Sequence, residues 1–126
     1  MKILFFFIWI NLGLISYTMG QSFTKKTKEI LKDYALCSCI IEGYKRDSID
    51  IKDVSIAVLY DISGYNIDLL NRKQIDSLTS IVLNEIRPLQ PADYGNRKPV
   101  IYTCLQYYKG KKLNALVRSM KKGNFD

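Results

Sequence analysis

The side chains best suited to chemistry in this sequence are three cysteines, Cys37, Cys39 and Cys104, and the acidic trio Asp47, Asp50 and Asp53. A cysteine nucleophile needs a base beside it, and the sequence contains no histidine. The same absence removes Ser–His–Asp catalysis, histidine-ligated metal sites and a histidine pH switch. Three cysteines are too few for a four-cysteine zinc site, and no Gly-rich phosphate loop is present. The acidic trio approaches the spacing of a calcium loop. Lys52, however, stands where the sharp-turn glycine belongs, and Val58 where the closing glutamate belongs. These acids read instead as residues at a helix entry, where carboxylates complement the helix dipole. Cys37 reads as a buried structural thiol. The composition points away from an enzyme, and neither a cofactor nor a metal is expected.

What positions these residues begins with an address. Lys2 is followed by an unbroken apolar run over residues 3–10, which Asn11 interrupts and residues 12–15 resume. Thr18 and Gly20 put small residues three before and one before a cut ahead of Gln21. That layout predicts a secretory signal peptide over residues 1–20, cleaved near Gly20/Gln21, and a run too short to remain as a membrane span. The remaining residues, 21–126, suffice for a single domain. Export to the periplasm allows a disulfide to form and persist. Cys37 and Cys39 would point about 200° apart on a helix, so one of them is expected to pair with Cys104. Cys37 lies nearer the apolar stripe of Leu31, Tyr34, Ala35, Ser38 and Ile41, and the spacing leaves both pairings open. Either bridge closes a loop of about 65 residues and contributes about 4 kcal/mol in the chain-entropy model.

Apolar periodicity predicts helices throughout. Residues 29–41 read as a central helix, apolar nearly all round, with Gly43 as its stop. Residues 49–62 alternate like a strand at their start, yet Ile51, Val54, Val58 and Ile62 recur at helical spacing, which favours a helix ended by Gly64. Residues 68–86 form the cleanest pattern, with Ile75, Leu78, Val82 and Ile86 in line and Leu70, Ile81 and Leu83 widening the stripe. Arg87-Pro88 ends it. Pro99 opens a further helix with Ile101, Cys104, Leu105 and Tyr108 as its apolar face, and Leu113, Leu116, Val117 and Met120 form the last one beyond Gly110. All three prolines fall within residues 88–99, a long aperiodic segment of the kind that is either functional or a stiff solvated connector. The expected fold class is all-α: a compact bundle of four to five helices with one disulfide and one long proline-containing loop.

The formal charge is +7, carried in short basic runs: Lys25, Lys26 and Lys28; Arg97-Lys98; Lys109, Lys111 and Lys112; Lys121-Lys122. Neighbouring Tyr102, Tyr107 and Tyr108 would suit nucleic-acid stacking, but an exported chain rarely meets nucleic acid. Solvated helix faces, an acidic protein partner or an anionic envelope component are the readings left open.

The segment 33–40 (Asp-Tyr-Ala-Leu-Cys-Ser-Cys-Ile), followed by Gly43-Tyr44-Lys45, resembles the first mature helix of the type VI secretion amidase immunity proteins. Asp53-Val54, Tyr60 and Gly64-Tyr65 are similar to that family's second helix and turn. Thr103-Cys104-Leu105, Tyr107 and residues 112–116 (Lys-Leu-Asn-Ala-Leu) are similar to its last helices. The resemblance implies a periplasmic, all-helical, non-catalytic protein, usually a homodimer, that binds a peptidoglycan amidase toxin and occludes its cleft. It implies a disulfide between Cys39 and Cys104. It also implies that residues 87–98 protrude toward the toxin, with Gln90, Asp93, Tyr94, Asn96 and Arg97 as contacts. No stable membrane insertion is expected after leader cleavage. The competing reading is a non-catalytic periplasmic module for an anionic envelope component, with a small secreted enzyme as a third.

Overall fold

Helix α1 (Lys25–Arg46) is the axis of the molecule and touches each of the other four helices: α2 (Ser55–Ser63), α3 (Leu69–Asn84), α4 (Val100–Lys109) and α5 (Lys111–Ser119). The computed structural model describes residues 22–63, 69–88 and 97–121. The expected leader, Gly64, and Gln90, Asp93, Tyr94 and Asn96 of the expected contact segment lie outside the described residues. Among the described residues the fold is all-α, with one isolated antiparallel bridge between Ser22 and Lys121.

The start of α1 is fixed by Thr24, whose hydroxyl accepts the Thr27 amide at 3.2 Å and so satisfies one of the free N–H groups of the first turn. Lys45 and Arg46 close the helix, where cations complement its dipole. Leu31, Tyr34, Ala35, Ser38 and Cys39 are buried on α1. They meet Ile75 and Leu83 of α3, Val100, Cys104 and Tyr107 of α4, and Leu113, Val117 and Met120 at α5 in one core cluster. Burying each large aliphatic side chain in that cluster contributes about 1.5–3 kcal/mol.

The structure departs from the sequence expectations in four places. Gly43 does not stop α1, which continues to Arg46. A Cβ at Gly43 would run into the Val100 side chain and come within 3.2 Å of Leu83 Cδ2, so this glycine permits close packing rather than ending a helix. The helix expected over residues 49–62 begins only at Ser55, and Ile51, Val54 and Val58 face solvent instead of the core. Ser48 and Lys52 have positive φ values of 61° and 41°, which no helix accommodates, and the Asp53 carboxylate receives the Ser55 amide at 2.7 Å where the helix starts. On α3, Ile81 points outward and does not widen the stripe, while Ile75 and Leu83 are buried.

On α4 the buried set is Val100, Cys104 and Tyr107, with Ile101 and Leu105 exposed and Tyr108 half-buried. Both stripes pass through Cys104 at helical spacing. The close approach of Val100 to Gly43 fixes which one turns inward. Pairing of Gly43 with Val100, Cys39 with Cys104 and Asp33 with Tyr108 makes α1 and α4 antiparallel.

Candidate binding surface

The cysteines divide by burial. Cys39 and Cys104 are both fully buried and form a disulfide with S–S 2.08 Å and Cα–Cα 5.7 Å, spanning 65 residues. Cys37, nearer the expected stripe, is the free thiol and only half-buried. The reason is rotation of α1: its core face is centred on Leu31, Tyr34 and Ser38, and Cys39 lies on the edge of that face that meets α4. Burial pushes the Cys37 thiol upward, and the charges of Asp53 and Asp33 add to the effect. Both effects favour the protonated thiol, and the chain has no imidazole to activate it as a nucleophile.

The acidic trio is engaged by the protein itself. Asp47 Oδ1 receives Lys98 Nζ at 2.7 Å, Asp50 Oδ1 receives the Lys52 amide at 3.1 Å, and Asp53 receives the Ser55 amide. The hydroxyl and amide of Ser55 hold the Asp53 carboxyl below the usual carboxylate range. These groups therefore hold a loop in shape, as Asx turns do. Among the described residues no group of three or more His, Cys, Asp or Glu side chains is placed to hold a metal ion.

A second polar cluster joins α1 to α3. Asp76 Oδ1 accepts from Tyr34 Oη at 2.9 Å and from Ser38 Oγ at 3.2 Å, and Arg72 Nε donates to the Tyr34 hydroxyl at 3.4 Å. Arg72 also lies 5.8 Å from the ring centroids of both Tyr34 and Tyr60. Arg46 reaches across to Asn84 at 2.6 Å and Ser80 at 2.9 Å. Every carboxylate or guanidinium named here already has a protein partner, so the seam holds two helices in register. The same residues line an open cleft of about 380 Å³ between the two helices.

At the C-terminal end of α1, the loop 47–54 and residues 97–98 form an exposed surface. Arg97 is exposed, and Lys98 is drawn onto Asp47 with the two side chains 35% and 30% exposed. Ile49, Ile51 and Val54 of the loop are exposed. The periodicity over residues 49–62 predicts a helix there, whereas these three lie in an exposed loop. The signal that marks the loop is the pair of acids Asp50 and Asp53, each two residues ahead of a backbone amide that it caps. The structure brings Arg97 to this end of the bundle; the other four expected contacts lie outside the described residues.

The described residues form a disulfide-closed helical frame that exposes the loop 47–54 and the pair Arg97-Lys98 at one end. No helix among the described residues is long and apolar enough to cross a membrane. No curated protein and no solved structure matches the chain. A family model does match, over residues 29–117, and that family is described as type VI secretion system (T6SS), amidase immunity protein (Tai4). The match begins in the first turns of α1, ends within α5, and takes in both cysteines of the disulfide. Spanning well over half of the sequence, it shows that the chain belongs to the type VI secretion system amidase immunity family.

Proposed function

We propose that this protein is exported to the periplasm. There it binds a peptidoglycan amidase delivered by the type VI apparatus of a neighbouring cell and inhibits it by closing the enzyme's active-site cleft. The observation that carries the reading is the family match over residues 29–117. Three features support it. The N-terminal residues have the layout of a cleavable leader. The disulfide suits an oxidising compartment. Burial favours the protonated form of the one free thiol, in keeping with a binding role rather than a catalytic one.

Within this reading residues 87–98 form the inhibitory element, and Gln90, Asp93, Tyr94, Asn96 and Arg97 contact the toxin. Tyrosine and arginine are favoured interface anchors, and the prolines at the ends of the segment reduce the ordering cost of binding. The protein acts as a homodimer. The Cys39–Cys104 bridge holds α4, and with it the end of the inhibitory segment, against α1.

The test is a binding and inhibition experiment with the oxidised chain from Gln21 onward and the amidase encoded beside it, with light scattering to give stoichiometry. A stable complex that abolishes cell-wall cleavage is the expected result. A correctly folded, disulfide-bonded chain that forms no complex overturns the reading. Strongly salt-dependent binding to anionic envelope polymers would then favour the competing assignment.

A further inference from the structure

We infer that Arg46 and Asp47, neighbours at the C-terminal end of α1, are positioning residues that clamp the two ends of the inhibitory segment 87–98; the inference rests on the immunity reading above. Both ends of that segment meet α1 at one place. Leu83 in the last turn of α3 and Val100 at the start of α4 each have a side-chain atom within 3.2 Å of the point that a Gly43 Cβ would occupy. The chain therefore leaves α3 and enters α4 beside the same turn of α1.

One turn further along, a charged side chain ties each end. The Arg46 guanidinium donates through Nη1 to Asn84 Oδ1 at 2.6 Å and through Nη2 to Ser80 Oγ at 2.9 Å, which holds the end of α3. The Asp47 carboxylate accepts Lys98 Nζ at 2.7 Å, which holds the chain where it returns. Both ties are short and use an ionised group, the stronger class of hydrogen bond. A guanidinium fork and a carboxylate on consecutive residues thus set the spacing of the two ends.

Local helix physics gives no reason for an acid at position 47. Asp47 is the C-cap residue of α1, and its amide donates to the Tyr44 carbonyl at 3.0 Å. A carboxylate there faces the negative end of the helix dipole, whereas Lys45 and Arg46 have the favourable sign. Glycine and asparagine are the residues favoured where a helix ends. The contact that the acid makes instead is with Lys98, 51 residues away, in a pair whose side chains are only 30% and 35% exposed. Departures from local preference of this kind are found where function sets the residue. Holding both ends reduces the arrangements open to the segment before the enzyme arrives. Apparent affinity rises with the fraction of chains already in the binding arrangement. Neither Arg46 nor Asp47 needs to touch the enzyme.

Charge gives the clamp a signature of its own. Neutralising Asp47 makes a chain of net charge +7 more positive, so steering toward an acidic enzyme would speed association. Loss of the clamp weakens binding, so the two effects have opposite signs.

The experiment measures amidase binding and thermal melting for the wild-type chain, Asp47→Asn, Ser80→Ala/Asn84→Ala and Ser38→Ala. Asp47→Asn is expected to bind roughly fivefold more weakly with melting nearly unchanged, since relief at the helix end offsets the lost ion pair. Ser80→Ala/Asn84→Ala frees the other end without changing charge and is expected to weaken binding by a similar factor. Ser38→Ala removes the 3.2 Å bond to Asp76 in the same α1–α3 seam, and is expected to melt earlier while keeping wild-type affinity. Adding Lys98→Gln to Asp47→Asn is expected to leave the dissociation rate where the single variant put it, because the tie is already gone. If Asp47→Asn and Ser80→Ala/Asn84→Ala bind as tightly as a wild-type chain that does inhibit the enzyme, the clamp is overturned and the immunity reading stands. An equal loss of affinity in Ser38→Ala also overturns it, because loosening of the seam then accounts for every variant. Faster dissociation on adding Lys98→Gln makes Lys98 itself a contact and overturns Asp47 as its positioner. A wild-type chain that binds no amidase removes both readings together.

Discussion

Gly43 of α1 and Val100 of α4 are in direct contact, and the absence of a side chain at the first is what admits the second. Elsewhere in a helix, alanine in place of glycine is stabilising by up to about 1 kcal/mol. Here the added methyl meets Val100 and Leu83 in a close-packed core, where overpacking costs about 1–3 kcal/mol. Gly43→Ala is therefore expected to lower the denaturant midpoint. Gly43→Ala/Val100→Ala is expected to lose less than the sum of the two single variants. A Gly43→Ala protein more stable than wild type would show that the contact relaxes freely.

The Cys39–Cys104 bridge closes a 65-residue loop, long enough that its removal frees much unfolded-state entropy. Replacing both cysteines by serine is expected to cost about 4 kcal/mol in urea or guanidinium unfolding, a large part of the stability of a domain this size. Replacing Cys37 alone by serine is expected to change stability far less, since that thiol is half-buried and unpaired.

Stability is also expected to depend on pH at the alkaline end. Burial raises the phenols of Tyr34 and Tyr107 above the usual tyrosine range. The negative charge of Asp76 pushes both the same way, opposed by hydrogen bonds from Arg72 to Tyr34 and from Thr79 to Tyr107. The folded chain thus holds these protons more tightly than the unfolded chain. Their contribution is complete below about pH 10, the ordinary tyrosine value, and is lost as pH rises through the higher folded values. Equilibrium unfolding followed upward from neutral pH should show stability falling only above that point. Tyr107→Phe should flatten the fall. It also deletes the 3.2 Å bond from Thr79, at a cost of about 1 kcal/mol at neutral pH.

Arg97 and Lys98 lie on the exposed end of the bundle, in a chain of net charge +7. Reversing both charges is expected to slow association with an acidic amidase at low salt, with the difference shrinking as salt is added. Lys98→Glu also opposes Asp47, so unfolding should report a loss of up to about 1 kcal/mol, the scale of a partly exposed ion pair. An on-rate that does not respond to either reversal removes electrostatic steering from the mechanism.

Much of the helical frame was legible in the sequence because its periodicity is strong. Leu31, Tyr34, Ala35 and Ser38 on α1, Ile75 on α3, and Leu113, Val117 and Met120 at α5 are all in the core as their spacing implies. What was not legible turns on rotation and on tertiary contact. Cys104 belongs to two equally good stripes on α4, and only its pairing with Cys39, beside the Gly43–Val100 contact, decides between them. The loop 47–54 carries apolar residues at helical spacing, yet three Asp side chains and two left-handed residues hold it out of a helix. Gly43 carried the usual sign of a helix end, and a packing demand from a helix more than fifty residues away gave it a different use.

The bridge between Ser22 and Lys121 brings the two extremities of the described fold together at the N-terminal end of α1. Asp47 and Lys98 mark its opposite end, and 22 helical residues separate the two by about 33 Å. The molecule is therefore polar along its axis, with a handle at one pole and, in the proposed function, the toxin-facing surface at the other. A surface, a fluorophore or a fusion partner attached at the handle leaves the other pole free. A short linker joining residues 22 and 121 would let new termini be opened elsewhere in the chain without disturbing that pole.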